Sequence, residues 1–162
     1  MKVLNTLPTE ATLCFLIRGD EVLLAEKQKK LGAGFLNGFG GKVESTDVSI
    51  EAANAREVEE ENGVRVTNFK NVGAVTFHNP SEDNELKDMI VHMFVATEWD
   101  GEPMETDEMK KIAWYVIAEL DYSKFLAGDR LFLPLILGGK SVRGAIWYND
   151  DWSVRDSQIE EL

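Results

Sequence analysis

The feature that most limits how this chain can fold is one well-marked helix set among segments that read as strands. Between Ser49 and Asn62, the residues Ile50, Ala53, Glu57, Glu60 and Glu61 recur at helical spacings, and Asn62-Gly63 supplies a C-terminal stop. Upstream, Thr12 to Ile17 and Glu21 to Ala25 read as two strands around a tight turn, Arg18-Gly19-Asp20. Downstream, Phe69 to His78 and Lys87 to Glu98 read as a second pair joined by a polar loop, Asn79 to Glu85. Ile112 to Ile117 predicts a shorter strand, and Asp129 to Leu137 a helix with a proline inside it. Gly144 to Tyr148 and Trp152 to Asp156 predict a closing hairpin that turns at Asn149-Asp150-Asp151. Lys27 to Gly34 reads as a loop, and Phe35 to Gly41 as an irregular segment with close backbone approaches. The acidic tail, Gln158 to Leu162, is expected to fray. Strands and helices mix without a βαβ rhythm. The fold class is therefore α/β in the α+β sense, a mixed sheet flanked by helices, in one domain over residues 1–162.

Charge and cysteine usage exclude several functions. The formal net charge of -12 argues against a grip on a nucleic-acid polymer, which depends on Lys and Arg displacing counterions. It leaves room for a small phosphate ligand, because a divalent cation can bridge an acidic site to phosphate oxygens. The single cysteine, Cys14, lies in an apolar run and reads as a buried, inert thiol. With no disulfide possible within the chain, a reducing compartment, the cytoplasm, is the expected location. The longest apolar stretch, Leu131 to Leu137, is too short to cross a bilayer and contains Pro134, so no membrane partner is expected. His78 and His92 have no cysteine or second histidine at ligand spacing and read as solvated or core residues.

The chemistry is concentrated on the helix. Residues three and four apart share a helix face, so Glu57, Glu60 and Glu61 crowd negative charge onto one patch. Like-charge neighbours cost roughly 0.2–0.5 kcal/mol per pair, and the helix C-terminus disfavours anions as well. A solvated helix face is the commoner explanation of a Glu-rich run, and Arg56 could pair with any neighbouring glutamate. The flanks favour a hard divalent cation, which prefers carboxylate oxygens. Gly40-Gly41-Lys42-Val43-Glu44 precedes the helix, and Gly63-Val64 closes it.

Arg56-Glu57-Val58-Glu59-Glu60-Glu61-Asn62-Gly63-Val64 resembles the second half of the Nudix box, R-E-U-x-E-E-x-G-U, where U is apolar. The first half starts at Gly41. Its loop is one residue longer than the family's, and either Asp47 or Val48 stands where the family has a glutamate. The resemblance implies a Nudix fold, a mixed β-sheet sandwiched between helices, and a Nudix hydrolase that breaks a phosphoanhydride bond. It implies Mg²⁺, with Mn²⁺ as a substitute, held by Glu57, Glu60, Glu61 and Glu108 and by the carbonyl of Gly40. Arg56 would orient Glu57 through a bidentate ion pair, a task that suits a planar guanidinium. Metal ions at such a site neutralise phosphate oxygens and acidify a bound water. Glu60 is the first choice for the general base and Glu108 the second.

Over nearly the whole chain the sequence looks like the animal-type MutT homologues, which hydrolyse 8-oxo-dGTP and 2-hydroxy-dATP to monophosphates. The signals are Ala11 to Cys14, Gly32 to Val43, Asp107-Glu108-Met109 and Phe132 to Leu135. This resemblance implies a base pocket in which the Asn37 amide meets the purine edge and Thr12, Lys27, Leu31, Phe77, Met89 and Met109 form the walls. Asp129 stands at one of two adjacent family aspartates. Leu126 replaces the family's Trp and Gly128 the other Asp, so a stacking platform and one carboxyl are missing. The implied function is nucleotide-pool sanitation, with a small nucleotide as substrate and a monomer or small homo-oligomer as the working unit. Two alternatives stay open: a Nudix pyrophosphatase for another nucleoside di- or triphosphate derivative, and a non-catalytic Nudix-fold binding module.

Overall fold

The computed structural model describes residues 8–29, 32–80 and 88–162. Its first hairpin, β1 (Thr9–Arg18) and β2 (Glu21–Lys27), turns at Gly19-Asp20. Two short strands follow, β3 (Leu36–Asn37) and β4 (Phe39–Lys42), and then the long helix α1 (Ile50–Asn62). β5 (Arg65–His78) and β6 (Asp88–Asp100) form the longest antiparallel pair, with β7 (Met109–Val116) after them. A short helix, α2 (Leu133–Leu137), precedes the final hairpin of β8 (Val142–Tyr148) and β9 (Val154–Glu161). The sheet order is β3-β2-β1-β6-β5-β8-β9, with β4 also pairing β1 and β7 also pairing β2. β1 runs parallel to β6, and β5 parallel to β8, so the sheet is mixed as expected.

Both faces of the central strands are buried, which explains the unbroken apolar run in β1. Side chains alternate between the faces. Cys14, Leu16, Leu23, Ala25, Phe94 and Ala96 pack with Val58 of α1. Phe15, Val22, Leu24, Met93 and Val95 pack with Phe132, Leu133 and Ile136 around α2. The sheet is thus held between a helix on each side. Burial pushes the Cys14 thiol up to about 12, so it is an inert core residue.

Several expectations need correction. Phe35 to Gly41 is not irregular throughout, because β3 pairs with β2 and β4 with β1. Backbone pairing overrides the low strand propensity of glycine there. The predicted helix from Asp129 to Leu137 is interrupted. Asp129–Leu131 forms a single 3-10 turn, Phe132 leaves the helical region at φ -126, and α2 starts at Leu133 with Pro134 in its first turn. Proline is accepted there because no intrahelical N–H is required of the first turn. The acidic tail does not fray. β9 pairs with β8 as far as Glu161, and Arg143 and Lys140 bind Glu160 and Glu161 at 2.8 and 3.2 Å. The loop from Asn79 to Glu85 falls largely outside the described residues. Among the described residues, no helix is long and apolar enough to cross a membrane.

Candidate active site

The helix α1 is anchored at both ends. Ser49 Oγ accepts from the Ala52 N–H at 3.0 Å, and the Gly63 N–H reaches the Glu59 carbonyl at 2.9 Å. Between these caps Glu61 faces the buried side, Glu57 is half-buried and Glu60 is exposed. β4 lies directly against this face. The Gly40 N–H donates to Glu61 Oε1 at 2.7 Å. A Cβ at position 41 would stand 2.4 Å from Glu57 Oε2, and one at position 40 would stand 1.8 Å from the Thr12 carbonyl oxygen. The Gly40-Gly41 pair is therefore what lets the helix carboxylates approach the sheet this closely.

Arg56 organises the carboxylates, though not through the expected pair. Its bidentate partner is Asp47, with Nε–Oδ1 and Nη2–Oδ2 both at 2.8 Å. Glu57 receives one bond, from Nη1 at 2.9 Å, and Glu60 lies 3.2 Å from the same nitrogen. Two oxygens of one carboxylate match the guanidinium fork, and Asp47 reaches it from the loop while Glu57, the adjacent residue, cannot. Val48 is 92 % exposed, so the longer loop resolves in favour of Asp47. Arg56 and the Glu44 N–H hold the Asp47 carboxyl down to about 2.

The remaining carboxyls are pushed the other way. Burial raises Glu57, with Arg56 opposing. Burial also raises Glu61, against the Gly40 N–H and with Glu108 adding to the rise. Each has a standing affinity for positive charge that its protein neighbours only partly satisfy. Among the described residues, no three acidic, histidine or cysteine groups converge on one point at ligand distance. Arg56 draws Glu57 and Glu60 to itself, and Gly40 restrains Glu61. The donor set of hard oxygens fits a cation such as Mg²⁺ in chemistry.

These groups line a cavity of about 780 Å³. Glu57, Glu60, Glu61, Glu108 and Gly40 line it, together with Lys27, Lys29 and Lys42. Thr12, Asn37, Phe77, Met89, Met109 and Asp129 line the same cavity, and the charge of Lys27 acts on both Glu61 and Asp129. Arg56 is absent from the lining and works from behind the carboxylates. Leu31 lies outside the described residues. Asn37 Oδ1 accepts from the Gly38 N–H at 2.8 Å, and the amide NH₂ is its donor group. Thr12 Oγ1 is buried without a partner. Asp129 is 8 % exposed, and its carboxyl is pushed up to about 7 by burial, with Lys27 pulling the other way.

A family model of the NUDIX domain matches residues 7–136. The chain belongs to the Nudix hydrolase family. It is 36% identical over 151 residues to the zebrafish oxidized purine nucleoside triphosphate hydrolase, covering 93% of this chain and 94% of that protein. The mouse protein of the same name is 32% identical over the same shares. In structure it is similar to a MutT protein from Bacillus halodurans, at a TM-score of 0.81 and 26% identity over 94% of this chain and 97% of that one.

Within this Nudix site, sequence reasoning missed Thr106, Tyr148, Lys29 and Lys42 and left Asp47 undecided. Thr106 Oγ1 donates to the Glu61 carbonyl at 3.0 Å and lines the cavity. Asp47 was one of two candidates for its place, and the signal that separates them is chemical, since a valine cannot take a guanidinium. Tyr148 lines the cavity and was read only as a strand residue. Its hydroxyl accepts from the Gly128 N–H at 3.0 Å, at the place where Gly128 leaves a carboxyl missing. Leu126 lines the cavity as well.

Proposed function

We propose that this Nudix hydrolase cleaves a purine nucleoside triphosphate, oxidised purines such as 8-oxo-dGTP included, to the monophosphate and pyrophosphate. The observation that carries the reading is one cavity lined both by the α1 carboxylates with three lysines and by apolar side chains with Asn37 and Asp129. A triphosphate needs the first environment and a purine the second. The oxidized purine nucleoside triphosphate hydrolases of zebrafish and mouse support the substrate class.

In this reading Glu57, Glu60, Glu61 and Glu108, with the Gly40 carbonyl, hold Mg²⁺, and Mn²⁺ can replace it. A metal held there would supply charge neutralisation at the phosphate oxygens and acidify a water. Glu60 is the first choice for the general base, with Glu108 as the second. Arg56 positions Glu57 and Glu60 while Asp47 fixes the guanidinium from the far side. Lys27, Lys29 and Lys42 offset the charge of the polyphosphate. Asn37 donates its amide to the base edge, and Thr12, Phe77, Met89 and Met109 enclose the ring. The enzyme works in the cytoplasm on free nucleotides, as a monomer or small homo-oligomer.

Release of pyrophosphate across normal and oxidised dNTPs with Mg²⁺ tests the reading, and 8-oxo-dGTP is expected above dGTP. Equal rates on the two would remove the oxidised-base preference and leave the chemistry. Leu126, in place of a stacking platform, favours a second reading: a pyrophosphatase for a nucleotide derivative held by something other than base stacking. Activity confined to nucleoside diphosphate conjugates would decide for it. Retention of full activity in Glu60→Gln would show that the reaction is carried out elsewhere.

A further inference from the structure

Tyr148 closes β8, lines the cavity and is 5 % exposed. Its ring is fixed on two sides. It stacks on Phe77 with centroids 6.4 Å apart and an interplanar angle of 10°, and it packs against Trp152 at 5.4 Å. The hydroxyl is fixed as well, because it accepts the Gly128 N–H at 3.0 Å. Gly128 has right-handed helical backbone angles, φ -71 and ψ -26, which any residue adopts. What requires glycine is space. A Cβ at 128 would stand 2.4 Å from the Tyr148 hydroxyl oxygen and 3.0 Å from Cζ. The two residues are therefore a matched pair: the phenol occupies the place a side chain at 128 would take. Among the described residues no protein acceptor receives the Tyr148 hydroxyl proton.

A carboxyl at this place could donate or accept, depending on its proton. A phenol whose oxygen already accepts one N–H has a single open role, to donate. Asp129, the next residue along the chain, lines the same cavity; burial favours its protonated form below about pH 7, and its ionised form carries two acceptor oxygens. With Asp129 ionised, the two present one donor and two acceptors. The complementary purine edge reads acceptor, donor, donor, which is the O6, N1–H and 2-amino edge of a 2-amino-6-oxopurine. A 6-aminopurine presents a donor where that edge has its acceptor.

We propose that Tyr148 is a specificity-determining residue, donating its hydroxyl to the O6 of a guanine-type base beside Asp129. The pair with Gly128 narrows the enzyme to 2-amino-6-oxopurine nucleotides, oxidised at C8 or not, at the expense of adenine-type ones. This rests on the purine triphosphatase reading above. The test compares kcat and KM for 8-oxo-dGTP and dGTP with those for 2-hydroxy-dATP and dATP, in wild type, Tyr148→Phe and Gly128→Ala.

The wild type is expected to favour the guanine series. Tyr148→Phe keeps the ring and is expected to lower the guanine-to-adenine ratio of kcat/KM about tenfold, the worth of one buried hydrogen bond, mainly through KM. Gly128→Ala, which displaces the hydroxyl, is expected to lower the same ratio and to add little in the Tyr148→Phe background. Thermal melts verify that each variant is folded. An unchanged ratio in Tyr148→Phe overturns the proposal, whether all rates fall together or none does. A wild type equally active on both series also overturns it, with the purine reading intact. A wild type that hydrolyses no purine nucleoside triphosphate overturns the function reading and this inference with it.

Discussion

Asp129 makes a sharp prediction about stability and pH. Its carboxyl is 8 % exposed and sits in the fold at about 7, against an ordinary value of 3.8, because burial disfavours the charged form. In the unfolded chain the group releases its proton near 3.8, while the folded protein keeps it to about 7. Between those values the folded state binds more protons, so stability falls as pH rises through that window. The Asp129 contribution is intact below pH 4 and fully lost above pH 7. At about 1.4 kcal/mol for each pH unit, the loss has a ceiling on the order of 4 kcal/mol. Lys27 opposes the shift and is already reflected in its size. Asp129→Asn keeps the shape and removes the proton. Urea denaturation of ligand-free wild type and Asp129→Asn at pH 4.5, 6 and 8 reads the difference directly, because other titrating groups contribute equally to both. The variant is expected to gain on the wild type by several kcal/mol between the first and last condition. Free-energy curves that run parallel with pH would show that Asp129 ionises in the fold as freely as in water, and the argument from burial would fail.

Other perturbations separate the parts of the site. Arg56→Lys keeps the charge but loses the fork that joins Asp47, Glu57 and Glu60, and kcat is expected to fall about a hundredfold with a native circular dichroism spectrum; activity within twofold of wild type would refute the positioning role. Chelation of divalent metal is expected to abolish hydrolysis. Mg²⁺ at a hundred times its dissociation constant is expected to stabilise the protein by about 2.7 kcal/mol, and a melting temperature indifferent to Mg²⁺ would count against the carboxylate site. Phe132→Ala empties a position that is 1 % exposed and meets Phe77 edge-on at 5.9 Å. A loss of about 3–5 kcal/mol in denaturant is expected, and a loss under about 1 kcal/mol would mean that the core under the cavity repacks.

What could be read in advance follows the range of the interactions involved. α1 was legible because its period, its stop at Asn62-Gly63 and its glutamates are all local properties of one segment. The strands of the first hairpin and of the long β5–β6 pair were legible for the same reason, though β5 starts earlier, at Arg65, where Val66 already alternates into the core. β3 and β4 were not, because glycine-rich segments become strands only when a partner supplies the hydrogen bonds. The tail hid as a charged segment, and charge is also how an exposed edge strand is built; Arg143 and Lys140, far back in the chain, decide between the two.

The same distinction separates the two groups of cavity residues. Most of the carboxylates proposed for the phosphate site, Glu57, Glu60 and Glu61, lie within one helix, so a short motif carries them, and Glu108 and Lys27 join from distant segments. The residues proposed for the base come from β1, β3, β5, β6, β7, the 3-10 turn at Asp129 and β8, and no local pattern ties them together. Gly128 and Tyr148 show the consequence. Judged along the chain, Gly128 is a lost carboxyl. Judged in space, it is the clearance for a hydroxyl delivered from twenty residues away, and the pocket keeps a polar group at that place with its hydrogen-bonding sense fixed. A single substitution in this region therefore misleads when read alone, because the property that matters belongs to the pair. Substrate preference in this protein should accordingly move with the double variant at 128 and 148, while the hydrolytic step answers to α1.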